Sequence, residues 1–162
     1  MDFRRAGRGR ISFMRRIALP LAVVFTLLFF SASLSLAQIQ VRMRAIHASD
    51  VGSSVDPSLK ELHRELGSLF NFKSYRLMRD EMLNLPMNQP VSFFSREGRI
   101  DVETTLVGLH KGAAEVRIRV TREGSQVLNT QVRLSPGRTV LVGGPKHRRG
   151  GVVIYALYVP RF

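Results

Sequence analysis

Glu115-Val116-Arg117-Ile118-Arg119-Val120-Thr121 alternates without a break. Three β-branched apolar side chains fall on one side and charged or polar ones on the other. A period of two is that of a strand with one face on a core and the other in water. The flanks carry turn chemistry: His110-Lys111-Gly112 before it and Arg122-Glu123-Gly124-Ser125 after it. The strand is therefore expected to stand in a meander of hairpins.

Outward from this stretch the same pattern recurs. Ile100, Val102, Thr104 and Leu106 share one face of a preceding strand, paired with residues 91–94 across a turn at Arg96-Glu97-Gly98-Arg99. Leu128, Thr130, Val132 and Leu134 form the next strand. Ser135-Pro136-Gly137-Arg138 then places proline and glycine as a type II turn requires. Two more strands follow, over 140–142 and 152–159. Near the start, Ile39, Val41, Met43 and Ala45 alternate with Gln40, Arg42 and Arg44. The stretch 74–80 is a weaker strand, since Tyr75 and Leu77 alternate with Arg76 and then Met78 and Arg79 exchange the apolar and charged faces. Two prolines in Pro86-Met87-Asn88-Gln89-Pro90 end that element.

One helix is expected among these strands. Asp56-Pro57 offers an N-cap followed by proline at the first helical position. Leu59, Leu62, Leu66 and Leu69 then make a single apolar stripe that packs on the domain's own sheet, with His63 off the stripe in solvent. The fold class is mainly β, a β-rich α+β arrangement. About eight short strands and one short amphipathic helix make an antiparallel sandwich or a partly open barrel.

The N-terminus has a different character. Arg4, Arg5, Arg8, Arg10, Arg15 and Arg16 precede a stretch, 17–37, that holds no charge and ends Ser35-Leu36-Ala37-Gln38. A basic region, an apolar region and small residues at a cleavage position mark residues 1–37 as a signal peptide. The same apolar stretch is long enough to stay as a membrane anchor, which is the alternative. In either case residues 38–162 form a single β-rich domain outside the cytoplasm, because arginine remains on the cytoplasmic side. The chain has no cysteine, so disulfides do not stabilise the fold.

The whole chain carries a formal charge of +13. The leader takes six of the 25 basic residues and one of the 12 acidic ones, leaving +8 on residues 38–162. Outside the cytoplasm such a charge favours anionic lipid, acidic polysaccharide or an acidic envelope protein over nucleic acid, while also serving solubility. Membrane contact would run through 17–37. The pattern leaves the oligomeric state open.

No catalytic constellation emerges from the sequence, and no cofactor is implied. His47, His63, His110 and His147 are dispersed, without the spacing of metal ligands. His47 near Asp50, Ser49, Ser53 and Ser54 reads as ordinary loop chemistry. Asp101 and Glu103 share a strand face that is expected to be solvated. The most unusual segment is Gly143-Gly144-Pro145-Lys146-His147-Arg148-Arg149-Gly150-Gly151. Here Lys146, His147, Arg148 and Arg149 are expected to converge at a hairpin tip. Flexible glycines would admit an anion to backbone N–H groups, and the arginines would grip it. A charged tip that only discourages sheet-edge aggregation is the simpler alternative. The segment is not a phosphate-binding P-loop, since its glycines lead into a strand rather than a helix.

Ile39-Gln40-Val41-Arg42-Met43-Arg44-Ala45-Ile46 and Ser135-Pro136-Gly137-Arg138-Thr139-Val140-Leu141-Val142-Gly143-Gly144 resemble strand segments of bacterial secretin domains. The resemblance implies a small exported module that works beside an envelope or secretion assembly without enzyme activity. It transfers no functional residues.

The expected function is accordingly a non-catalytic periplasmic or secreted domain that binds a partner in the cell envelope. A membrane-anchored protein or a small outer-membrane β-barrel is the alternative, and an envelope-polymer hydrolase a remote one.

Overall fold

A computed structural model describes residues 37–95 and 100–161. Residues 1–36 of the leader, the turn at 96–99 and Phe162 lie outside the described residues. The eight strands are β1 (Gln38–Ser49), β2 (Ser74–Pro86), β3 (Pro90–Ser95), β4 (Ile100–His110), β5 (Ala113–Arg122), β6 (Ser125–Leu134), β7 (Thr139–Lys146) and β8 (Val152–Tyr158). They form two antiparallel four-stranded sheets. Sheet I has the order β2-β1-β8-β7 and sheet II the order β3-β4-β5-β6. The sheets face each other as an open sandwich and do not close into a barrel, so the barrel half of the expectation gives way to the sandwich.

Sheet II is the meander read from the sequence. Its hairpins turn at Lys111-Gly112 and Glu123-Gly124, where both central residues have positive φ (49° and 75°, 51° and 82°). That is the type I′ geometry, whose twist matches the strands it joins. Val116, Ile118 and Val120 are buried from β5, opposite Leu106, Thr104 and Val102 of β4. Thr104 shares that face and is fully buried, and its hydroxyl donates to Met43 Sδ of sheet I at 3.4 Å. The chain crosses from sheet I to sheet II after Pro86. It crosses back at Ser135–Arg138, where Gly137 adopts φ 75° and the Arg138 N–H donates to the Ser135 carbonyl. The type II turn is where the proline and glycine placed it.

Sheet I buries both of its faces, but unequally. Ile39, Val41, Met43 and Ala45 of β1 and Val153, Tyr155 and Leu157 of β8 point into the inter-sheet core. On the opposite face Ile46, Ala48, Ile154 and Ala156 meet Leu59, Leu62 and Leu66, together with Tyr75. A second, smaller core therefore lies under the helical segment.

The helical segment is a 3-10 turn, Pro57–Leu59, followed by α1 (His63–Phe70). The Asp56 carboxylate caps the first turn, accepting from the Ser58 N–H and hydroxyl and from the Leu77 N–H on β2. No side chain caps the start of α1 at Leu62, so the two pieces do not merge into one three-turn helix. The stripe holds for Leu59, Leu62 and Leu66, and His63 is exposed as expected. Leu69 departs from it at 65% exposure. Phe70 packs on the small core instead, and the left-handed Asn71 (φ 39°) ends the helix just beyond it.

The face exchange in β2 has a physical cause. The register with β1 runs Ala45↔Arg79 and then Ile46↔Leu77, so Met78 is an extra residue in a bulge. A bulge shifts the side-chain alternation by one position. Tyr75 and Leu77 consequently serve the core under the helix, while Leu83 and Leu85 serve the core between the sheets. The apparently weak pattern belongs to a 13-residue strand in two phases.

Candidate functional site

The glycine-rich basic segment is more structured than its composition implied. β7 runs through Gly143, Gly144 and Pro145 to Lys146, leaving only a tight turn at 147–151. In that turn the His147 N–H donates to the Gly151 carbonyl and the Gly150 N–H to the His147 carbonyl. The first glycine pair does not provide a flexible anion cradle. It leaves room for aromatic rings: a Cβ on Gly143 would lie 3.3 Å from the Phe70 ring, and one on Gly144 2.6 Å from the Tyr155 ring. At the second pair, Gly151 adopts φ 76°, and a Cβ there would run into the Ala48 carbonyl of β1.

The four basic side chains of the tip separate. Lys146 is exposed on the edge strand. Arg148 pairs with Glu123 in the β5–β6 turn, and the neighbouring Arg122 donates to the Lys146 carbonyl, so the tip is clamped to sheet II. His147 turns inward, with 7% of its surface exposed. Its ring centroid stands 4.3 Å from that of His47 on β1. The His147 Nδ1 accepts from the Arg149 N–H at 3.3 Å. His47 Nε2 lies 2.7 Å from the Gly150 carbonyl oxygen, which can only accept, so that nitrogen carries a proton. Two imidazoles thus seat the tip on the end of β1. No three His, Cys, Asp or Glu residues gather as metal ligands among the described residues.

Arg149 extends over a groove of about 560 Å³. The groove is walled by His47 and Ser49 of β1, by Ser54 and Asp56 of the following loop, and by Ser74 and Arg76 at the start of β2. Its cations are Arg76 and Arg149, against the single carboxylate of Asp56. The hydrogen bonds from Ser58 hold that carboxyl below the usual aspartate range. Ser49 donates to the Val51 carbonyl, and His47 is engaged with Gly150, so both are committed to backbone rather than to each other. Asp50 does not line the groove. Its chemistry is that of an open recess with Val51, Val55, Pro57 and Tyr75 among its walls and Arg149, Ser54 and Ser74 among its polar groups.

Of the residues singled out from the sequence, Arg149 lines this groove and His147 supports it. Lys146 flanks the turn, and Arg148 is used in fastening it. His110 is elsewhere, 4.0 Å from Glu115 across the β4–β5 hairpin. Arg76 and the contact between His47 and His147 escaped the sequence. Both depend on the pairing of β1, which sets His47 opposite Arg76 on β2 and opposite Val153 on β8, and no local pattern reports such distant registers. Asp101 and Glu103 do lie on the solvated face, with Glu103 paired to Arg119 at 3.3 Å.

No family model, no curated protein and no solved structure matches the chain.

Proposed function

We propose that the protein is an exported, non-catalytic β domain that binds an anionic partner in the cell envelope, with the β7–β8 tip and the groove beneath Arg149 as its contact surface. The carrying observation is the groove itself: exposed Arg149 stands over it with Ser54 and Ser74 in its wall, at the end of a domain whose net charge is strongly positive. Arginine and hydroxyl donors in a shallow recess suit the phosphate of a lipid headgroup, the carboxylate of an acidic polysaccharide or an acidic protein side chain. The role is accessory, beside an envelope or secretion assembly. Export rests on the basic and apolar leader read from the sequence. No helix among the described residues is long and apolar enough to cross a membrane.

Two measurements test this reading. Expressed from its own start codon in a two-membrane bacterium, the chain should yield a soluble periplasmic product beginning at Gln38. An intact chain in the membrane fraction would instead establish the anchored alternative. Binding to anionic liposomes or acidic glycans at low salt should weaken when Lys146 and Arg149 are changed to serine, by about 1 kcal/mol for each charge near the surface. Arg148 is left in place so that the clamp to Glu123 persists. Binding unchanged by the double substitution would remove the tip from consideration.

A further inference from the structure

The outer face of sheet I carries a second cavity, of about 530 Å³, where the cover provided by the helical segment ends. Arg42, Arg44 and Tyr158 form its floor. Glu61, Leu62 and Glu65 stand on one side, and Gly137, Arg138 and Thr139 of the β6–β7 crossing on the other. It is formed by different residues from the groove at the hairpin tip.

The guanidinium of Arg44 is the unusual group here. Arg44 as a whole is 3% exposed, on the outward face of a sheet, where a long cation ordinarily reaches water. Its Nη2 pairs with Glu61 at 2.6 Å, but its Nη1 is buried with no hydrogen-bond partner. A buried charged donor left unmatched is costly, so the site calls for an acceptor. The neighbouring cations differ in their commitments. Arg42 is engaged by Asp80 through two hydrogen bonds, 2.9 and 2.6 Å. Arg138, exposed at the rim, has no side-chain partner among the described residues.

We infer that this cavity is a binding site for a small carboxylate, whose oxygens take up the vacant donor of Arg44 and the guanidinium of Arg138. Planar guanidinium groups match carboxylate geometry. The charge of the surroundings selects a monoanion, because Glu61, Glu65 and Asp80 already crowd the three arginines and would repel a phosphate dianion. The half-buried Tyr158 ring offers an apolar wall to the carbon stem behind the carboxylate. The ligand class is therefore a carboxylate on a short apolar chain, free or at the end of a larger molecule.

The test uses the full chain and butyrate, acetate and inorganic phosphate as probes, followed through the arginine Nε–H signals in 1H–15N NMR spectra at constant ionic strength. Butyrate should shift the Arg44 and Arg138 signals saturably and bind several-fold more tightly than acetate, with phosphate weaker than either. Arg138→Gln, at an exposed position that leaves the fold intact, should weaken butyrate roughly tenfold by removing one charge-assisted contact. Changing Lys146 and Arg149 to serine should leave butyrate binding unaltered, which separates this site from the proposed contact surface. Absence of a saturable shift, indifference to Arg138→Gln, or phosphate binding as well as butyrate would each overturn the inference.

Discussion

The outer faces of the two sheets have opposite fates. Among the described residues nothing covers that of sheet II: Arg117 and Arg119 of β5 project into solvent, and Arg119 pairs with Glu103 on the neighbouring strand. That of sheet I is covered at one end by Leu59, Leu62 and Leu66 and open at the other. The two cavities described above lie around the margins of this partial cover. A uniformly wet face offers no recess, whereas a cover that stops midway leaves walls, and walls let charged side chains converge. Leu66→Ala is the sharpest way to break the contrast. It should cost about 2–5 kcal/mol in denaturant unfolding by opening the small core, whereas Arg117→Ala on the bare face should stay within about 0.5 kcal/mol.

A smaller effect is expected where the cover is backbone rather than side chain. Gly151→Ala combines a positive φ with a collision against the Ala48 carbonyl, so it should destabilise by about 1–3 kcal/mol. It should also unseat His147 from His47, which amide hydrogen exchange in the tip would register as faster opening. Stability and exchange like those of the parent chain would mean that the tip does not depend on this close approach.

The finest comparison sets one ion pair against another. Arg42 grips Asp80 with two hydrogen bonds on sheet I, while Arg119 meets Glu103 with one on sheet II. The Arg42 guanidinium holds the Asp80 carboxyl below its usual range. A depressed carboxyl contributes stability above its unfolded-state value and loses it as pH falls through the lowered folded-state value. Asp80→Asn should therefore cost under about 1 kcal/mol at neutral pH, solvent screening having reduced it, and nothing once the pH is well below the carboxylate range. Unfolding curves at pH 7 and pH 2 would show the gap closing. A constant gap would assign the loss to packing instead.

How much of this was legible depended on how far apart the interacting residues lie in sequence. The β5 alternation and the turn residues at 111–112, 123–124 and 136–137 act within a few positions, and the structure places them as read. Met78 shows where local reading falters. Its bulge looks like a broken pattern until the pairing partner on β1 is known, after which both phases make sense. Gly143 and Gly144 suggest flexibility in the sequence because composition cannot say which ring lies against them. Leu69 shows the same limit: spacings of three and of four both suit a helical stripe, and Phe70, four residues beyond Leu66, takes the inward place while Leu69 is exposed. The cationic character of the tip is legible, but its contact with His47, the place of Arg76 in the adjoining groove and the buried state of Arg44 are not. Those depend on long-range pairing and on a cover that arrives from another part of the chain.

That long-range pairing also sets an order of assembly. Sheet II is a run of adjacent hairpins and can form from contacts close in sequence, while sheet I needs its first strand to find its last, with residues as distant as His47 and Gly150 in contact across 103 positions. Contacts of such separation form late and slowly. A chain threaded through a membrane N-terminus first would hold β1 without its β8 partner until the end had passed. Under the export proposed above, this topology keeps the polypeptide pliable during transit and completes the sandwich on the far side.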